Sequence, residues 1–135
     1  ISAGKERERY EKYKKLLSIK AADPKDPITS LSGGNQQKVF LARWLNTEAG
    51  ILLLDNPTQG IDVGAKAEIY KLILKLADAG KTILINTLEI PELAKVADCC
   101  AVFYEGTIIK MLQHEEIDEK TVMLYSTNAA QKGES

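Results

Sequence analysis

The chain has 135 residues, 44% of them hydrophobic and 27% charged, which is enough apolar material for the core of one domain or part of one. A formal net charge of −1 excludes the basic field of a nucleic-acid or acidic-lipid binder. No apolar run approaches the length of a bilayer span and no signal peptide is visible, so any membrane role must come through a partner.

The chain begins at Ile1 rather than Met, and a fragment is expected. Residues 5–20 are predicted to be a helix, with Tyr10, Tyr13, Leu16 and Leu17 on one face at steps of three and four. Glu8–Lys12 and Glu11–Lys15 are favourable pairs on its wet side, where acids and bases alternate. Asp23-Pro24-Lys25-Asp26-Pro27 is a linker, since two prolines within five residues cannot continue a helix.

The most informative stretch follows, Leu31-Ser32-Gly33-Gly34-Asn35-Gln36-Gln37-Lys38. Ser32 is a good N-cap, because its hydroxyl accepts from the free N–H groups of a first helical turn. Gly33 and Gly34 lack a Cβ, so backbone there can lie against a ligand. The helix runs on through Val39 to Leu45, and its glycine-opened, positive end suits a phosphate. Thr47-Glu48-Ala49-Gly50 breaks it. Ile51-Leu52-Leu53-Leu54-Asp55 then reads as a buried parallel strand whose C-terminal carboxylate carries function.

These motifs resemble the ATP-binding subunits of ABC transporters. LSGGNQQK is similar to their signature loop, in the form found in the second nucleotide-binding domain of bacterial ribose, xylose and galactose importers. The resemblance implies that Ser32, Gly33, Gly34, Asn35 and Gln36 bind the γ-phosphate of an ATP held by the opposite domain. It makes Ile51–Asp55 a Walker B strand, with Asp55 holding Mg²⁺ through water, as suits a hard ion that prefers oxygen. It also implies an α/β fold: a partial P-loop NTPase core with a mostly parallel sheet, plus part of the helical signature subdomain. Residues 1–48 would belong to that subdomain and 49–135 to the RecA-like core.

Two positions depart from the family. Its Asp-Glu-Pro-Thr is here Asp55-Asn56-Pro57-Thr58. The family's Glu polarises the attacking water, whereas Asn56 is one carbon shorter, neutral and unable to take a proton near pH 7. The family's switch histidine is here Leu88, which has neither donor nor charge. Glu89-Ile90-Pro91-Glu92 nevertheless resembles the sugar-importer group. Between these positions, Gln59-Gly60-Ile61-Asp62-Val63-Gly64-Ala65-Lys66 matches the D-loop, with Asp62 both a helix cap and an implied contact to the partner domain.

A helix apolar over a broad arc follows, carrying Ala67, Ile69, Tyr70, Leu72, Ile73, Leu74, Leu76 and Ala77 and ending near Gly80. Lys81–Asn86 is a strand with Ile83, Leu84 and Ile85 at its core, and Pro91–Ala97 a short helix. Cys99–Tyr104 and Thr107–Leu112 are strands joined at Glu105-Gly106. The adjacent Cys99 and Cys100 point to opposite strand faces, so both are expected to be reduced. His114 has no second metal ligand nearby and is expected at the surface. A last helix is predicted over residues 115–125, and 126–135 are expected to fray.

No Gly-x-x-x-x-Gly-Lys-Ser/Thr occurs in these residues, so they contain no Walker A loop. In the family the Walker A strand lies between the strands matched by 82–86 and 99–104. Those two strands are therefore expected either to pair directly or to recruit a second copy of the chain. The resemblance implies ATP and Mg²⁺ as cofactors, with another ABC domain (of the same or a second chain) and a transmembrane permease as partners. The expected site of action is the cytoplasmic face of the membrane. Two alternatives stand beside it: a nucleotide-responsive or interaction module that no longer hydrolyses ATP, and a soluble ABC protein of DNA repair or translation. The latter shares the signature loop but not Gly60–Lys66.

Overall fold

The computed structural model describes residues 3–17, 19–21, 23–45 and 48–129. The side chains of Leu16, Ser30, Trp44 and Leu45, the helix break at Thr47 and the tail beyond 129 lie outside the description. The chain divides into two compact units, residues 1–86 and 87–135.

In the first unit, α1 spans Ala3–Leu16. It is shorter than predicted, because the Ile19 N–H turns back to the Lys14 carbonyl at 2.9 Å and closes the end. Tyr10 and Tyr13 are half-buried and Leu17 is buried, which bears out the apolar face as far as it is described. The proline-flanked linker forms a turn and a short 3-10 segment, Ile28–Ser30. Helix α2, Gly33–Leu45, follows and packs against α3, Val63–Asp78. The inner stripe of α3 is Ile69, Tyr70, Leu72, Ile73 and Leu76, all buried. Ala67, Leu74 and Ala77 face outward, so the arc is narrower than composition suggested.

Strand β1, Ile51–Asp55, pairs in parallel with β2, Thr82–Asn86, residue for residue from Ile51↔Thr82 to Asp55↔Asn86. The parallel pairing is as expected, but full burial is not. Leu52 is 3% exposed, whereas Ile51, Leu53 and Leu84 are 62%, 76% and 57% exposed. Alternate residues of a strand face opposite sides, and among the described residues only one side of this two-stranded sheet is covered. Leu84 is therefore not the core residue that its neighbours Ile83 and Ile85 suggested. Among the described residues β2 pairs with β1, and β3 pairs with β4.

In the second unit, α4 is Ile90–Val96. Strands β3, Cys99–Tyr104, and β4, Thr107–Gln113, form an antiparallel hairpin. Its turn places Glu105 at φ 47° and Gly106 at φ 77°, the twist that joins two right-twisted strands in two residues. Both cysteines are free, as expected, and burial raises the Cys100 thiol above its ordinary pKa. His114 is exposed, with Nδ1 2.8 Å from the Ala97 carbonyl oxygen. It opens a 3-10 turn, His114–Glu116, rather than the last helix. That helix, α5, is Glu119–Ser126, and it starts late because Asp118 is its N-cap. The Asp118 carboxylate accepts the Thr121 N–H at 2.9 Å, and this bond holds its pKa below the usual value. Val102, Leu112, Ile117 and Val122 are the buried centre of this unit.

Candidate functional site

Ser32 caps α2 as its sequence implied. Its carbonyl accepts the Gln36 N–H at 2.8 Å and its Oγ accepts the Asn35 N–H at 3.3 Å. The Asn35 amide donates to the same Oγ at 2.9 Å, and its Oδ1 accepts the Lys20 N–H at 3.1 Å. The Gln36 amide donates to the Leu31 carbonyl at 2.9 Å. The side chains of Asn35 and Gln36 thus brace the loop from within. The N–H groups of Gly33 and Gly34 have no acceptor among the described residues. They sit at the positive end of a 13-residue helix and are the donors available to an anion.

The two glycines do different work. A Cβ on Gly33 meets nothing within 4 Å, so that side of the loop is open. A Cβ on Gly34 lies 2.5 Å from Ala65 Cβ, closer than any real contact. Gly34 is buried, and its missing side chain lets α2 meet the first turn of α3. Ligand approach, read from sequence at both glycines, therefore fits Gly33, whereas at Gly34 the close neighbour is a helix. One turn further along α2, Lys38 is 4% exposed and donates to the half-exposed carboxylate of Glu68 on α3. This hydrogen bond, and then the Lys38 charge, hold the Glu68 pKa below its ordinary value. Sequence reading passed over this pair because the two residues are 30 positions apart.

Asp62 caps α3, with Oδ1 accepting the Ala65 N–H at 3.0 Å, so the segment before α3 is tied to the turn that Gly34 touches. Between β1 and Asp62, Pro57 and Thr58 are buried and anchor the connection. Asp55 and Asn56 stand at the end of β1. Asn56 has φ 44°, a left-handed conformation that asparagine tolerates better than most residues. The Asp55 carboxylate is exposed, and its Oδ1 accepts from the Asn86 amide at 2.7 Å and from the Asn56 amide at a long 3.4 Å. No bond to Oδ2 is present among the described residues. One exposed carboxylate flanked by amides fits Mg²⁺, which keeps several of its waters. No group of three or more His, Cys, Asp or Glu that would cage a metal occurs among the described residues. Asn86 escaped the sequence reading, although the matched strand ends were a usable clue once a parallel pair was expected. Leu88 belongs to the second unit and is 91% exposed. No described helix is long and apolar enough to cross a membrane.

A family model described as ABC transporter matches residues 3–59. The chain is 46% identical over 127 residues to the ribose import ATP-binding protein RbsA of Halalkalibacterium halodurans, a match covering 94% of the chain and 26% of that protein. It is 47% identical over 118 residues to the arabinose import ATP-binding protein AraG of Vibrio parahaemolyticus, covering 87% and 23%. A bacterial ABC transporter cassette solved as a dimer superposes with a TM-score of 0.72 at 26% identity, over 84% of this chain and 49% of its own. The chain spans about a quarter of the length of the curated relatives it matches. The α/β fold, with part of a P-loop NTPase core, agrees with these neighbours.

Proposed function

The chain belongs to the ATP-binding family of ABC transporters, and from that premise we propose that it serves the ATPase subunit of a bacterial carbohydrate importer. The carrying observation is the braced loop at Ser32–Gln36, whose two free N–H groups at the α2 N-terminus suit a terminal phosphate. In this reading ATP supplies the γ-phosphate from an opposing ABC domain, and the N–H groups of Gly33 and Gly34 hold it in trans. Residues 1–48 serve as part of the helical subdomain and 49–135 as part of the core. Asp55 holds Mg²⁺ at the site on its own strand, and Asp62 contacts the opposing domain. Because Asn56 cannot take a proton and Leu88 offers no donor, the chain's own nucleotide site binds without efficient hydrolysis. A transmembrane permease couples the cycle to import at the cytoplasmic face of the membrane. The relatives that carry this choice are import ATP-binding proteins for ribose and arabinose.

The purified 135-residue chain is expected to show no magnesium-dependent ATP turnover. Turnover that Asp55→Ala abolishes would refute the degenerate-site reading. The exposed apolar face of β1–β2, with Ile51, Leu53 and Leu84, is proposed to bring a second copy onto the sheet. Sedimentation of the same sample is then expected to return an assembly, and a stable monomer speaks against it. In the gene product that carries this chain, Asn56→Ala is expected to change hydrolysis less than about twofold, because no proton transfer rests on it.

A further inference from the structure

We propose that Asn86 is the positioning residue for the Asp55 carboxylate, resting on the reading that Asp55 holds Mg²⁺. Asp55 and Asn86 are direct partners at the last rung of the parallel ladder, and both are exposed. The Asn86 side-chain amide donates to Asp55 Oδ1 at 2.7 Å, while the Asn86 backbone carbonyl accepts the Asn56 N–H at 2.8 Å. One residue of β2 therefore clasps both residues at the end of β1, the side chain on 55 and the backbone on 56.

An exposed aspartate is otherwise free to sample its rotamers. The short bond to Oδ1 selects one of them and leaves Oδ2 for the metal or its water. The 3.4 Å contact from Asn56 is too long to do this alone. An amide suits the task because it donates without bringing a charge that would compete with a divalent cation. Partners that orient a ligating carboxylate typically change metal affinity by about 10–100-fold. Asn86 acts through Asp55 and is not itself a ligand in this proposal.

The test uses Mn²⁺ in place of Mg²⁺ in the gene product that carries this chain. Half-saturation of the Mn²⁺–ATP complex is read by electron paramagnetic resonance, and affinity for ATP without divalent ion is read separately. Asn86→Leu keeps the bulk and removes the donor, and Asn86→Ala removes both. Both are expected to weaken Mn²⁺ by about tenfold and to leave metal-free ATP binding unchanged. An unchanged Mn²⁺ affinity in either variant, or an equal loss of metal-free binding, overturns the proposal. Asp55→Ala separates the two levels. If it weakens Mn²⁺ while the Asn86 variants do not, the positioning role fails and the reading of Asp55 stands. If Asp55→Ala itself has no effect, the reading of Asp55 fails and the proposal with it.

Discussion

Ser32→Arg is expected to abolish transport-coupled hydrolysis, by about 100-fold or more as for loss of donors to a developing anion, in a protein that still folds. Ser32 is exposed, and losing its cap costs about 0.5–2 kcal/mol. An arginine there covers the open side of Gly33 and sets a bulky side chain at the proposed phosphate site. Gly34→Asp is expected to abolish hydrolysis as well, but by another route. The Cβ it adds falls 2.5 Å from Ala65 Cβ, and overpacking of this kind costs about 1–3 kcal/mol before the buried charge is counted. The milder Gly34→Ala separates the causes. Combined with Ala65→Gly, which reopens the contact, it is expected to recover both melting temperature and hydrolysis, whereas Ala65→Gly is expected to leave Ser32→Arg inactive. If the double variant regains stability but not hydrolysis, the absence of a side chain at Gly34 matters to the phosphate site beyond its contact with Ala65. Equal, severe losses from Ser32→Arg and Asn56→Ala would count against the proposed asymmetry between two nucleotide sites.

Glu68→Gln is expected to lower the melting temperature at pH 7 and to do progressively less as the pH falls. Lys38 is buried against α3 while Glu68 is half-exposed, so solvent screens one side of the pair. About 1 kcal/mol is a reasonable size, or about 4–8 °C for a unit of this length. The Glu68 pKa is lower folded than its ordinary 4.5. The stabilisation is therefore fully present above 4.5 and is lost as pH drops through the folded value. Melting curves of the two proteins from pH 7 to pH 3 check this, and a gap that stays constant across the range would remove the ion pair as its cause.

Much of this molecule was legible from local chemistry. Ser32 before two glycines specifies a capped helix start, and Asp62 before Val63 specifies another, because a cap acts within three residues of itself. The apolar run Ile51–Leu54 specified a strand, and Glu105-Gly106 a tight hairpin, since positive φ is a property of single positions. The limits of reading locally show at Glu115–Glu119, where the helix expected from residue 115 begins only after the Asp118 cap.

Other features exist only after folding. Which face of β1 is covered depends on what packs on the sheet, and a uniformly apolar strand carries no mark of its inner side. Gly34 and Ala65 meet because two helices cross there, so the same residue type that opens Gly33 to a ligand closes Gly34 against a neighbour. Asn86 reaches Asp55, 31 residues away, only because the parallel register sets the two strand ends side by side. Amino-acid order determined the caps, the turns and the chemistry available, since each acts over a few bonds. Tertiary structure alone decided which of those groups touch, because contact between distant residues is set by packing and register.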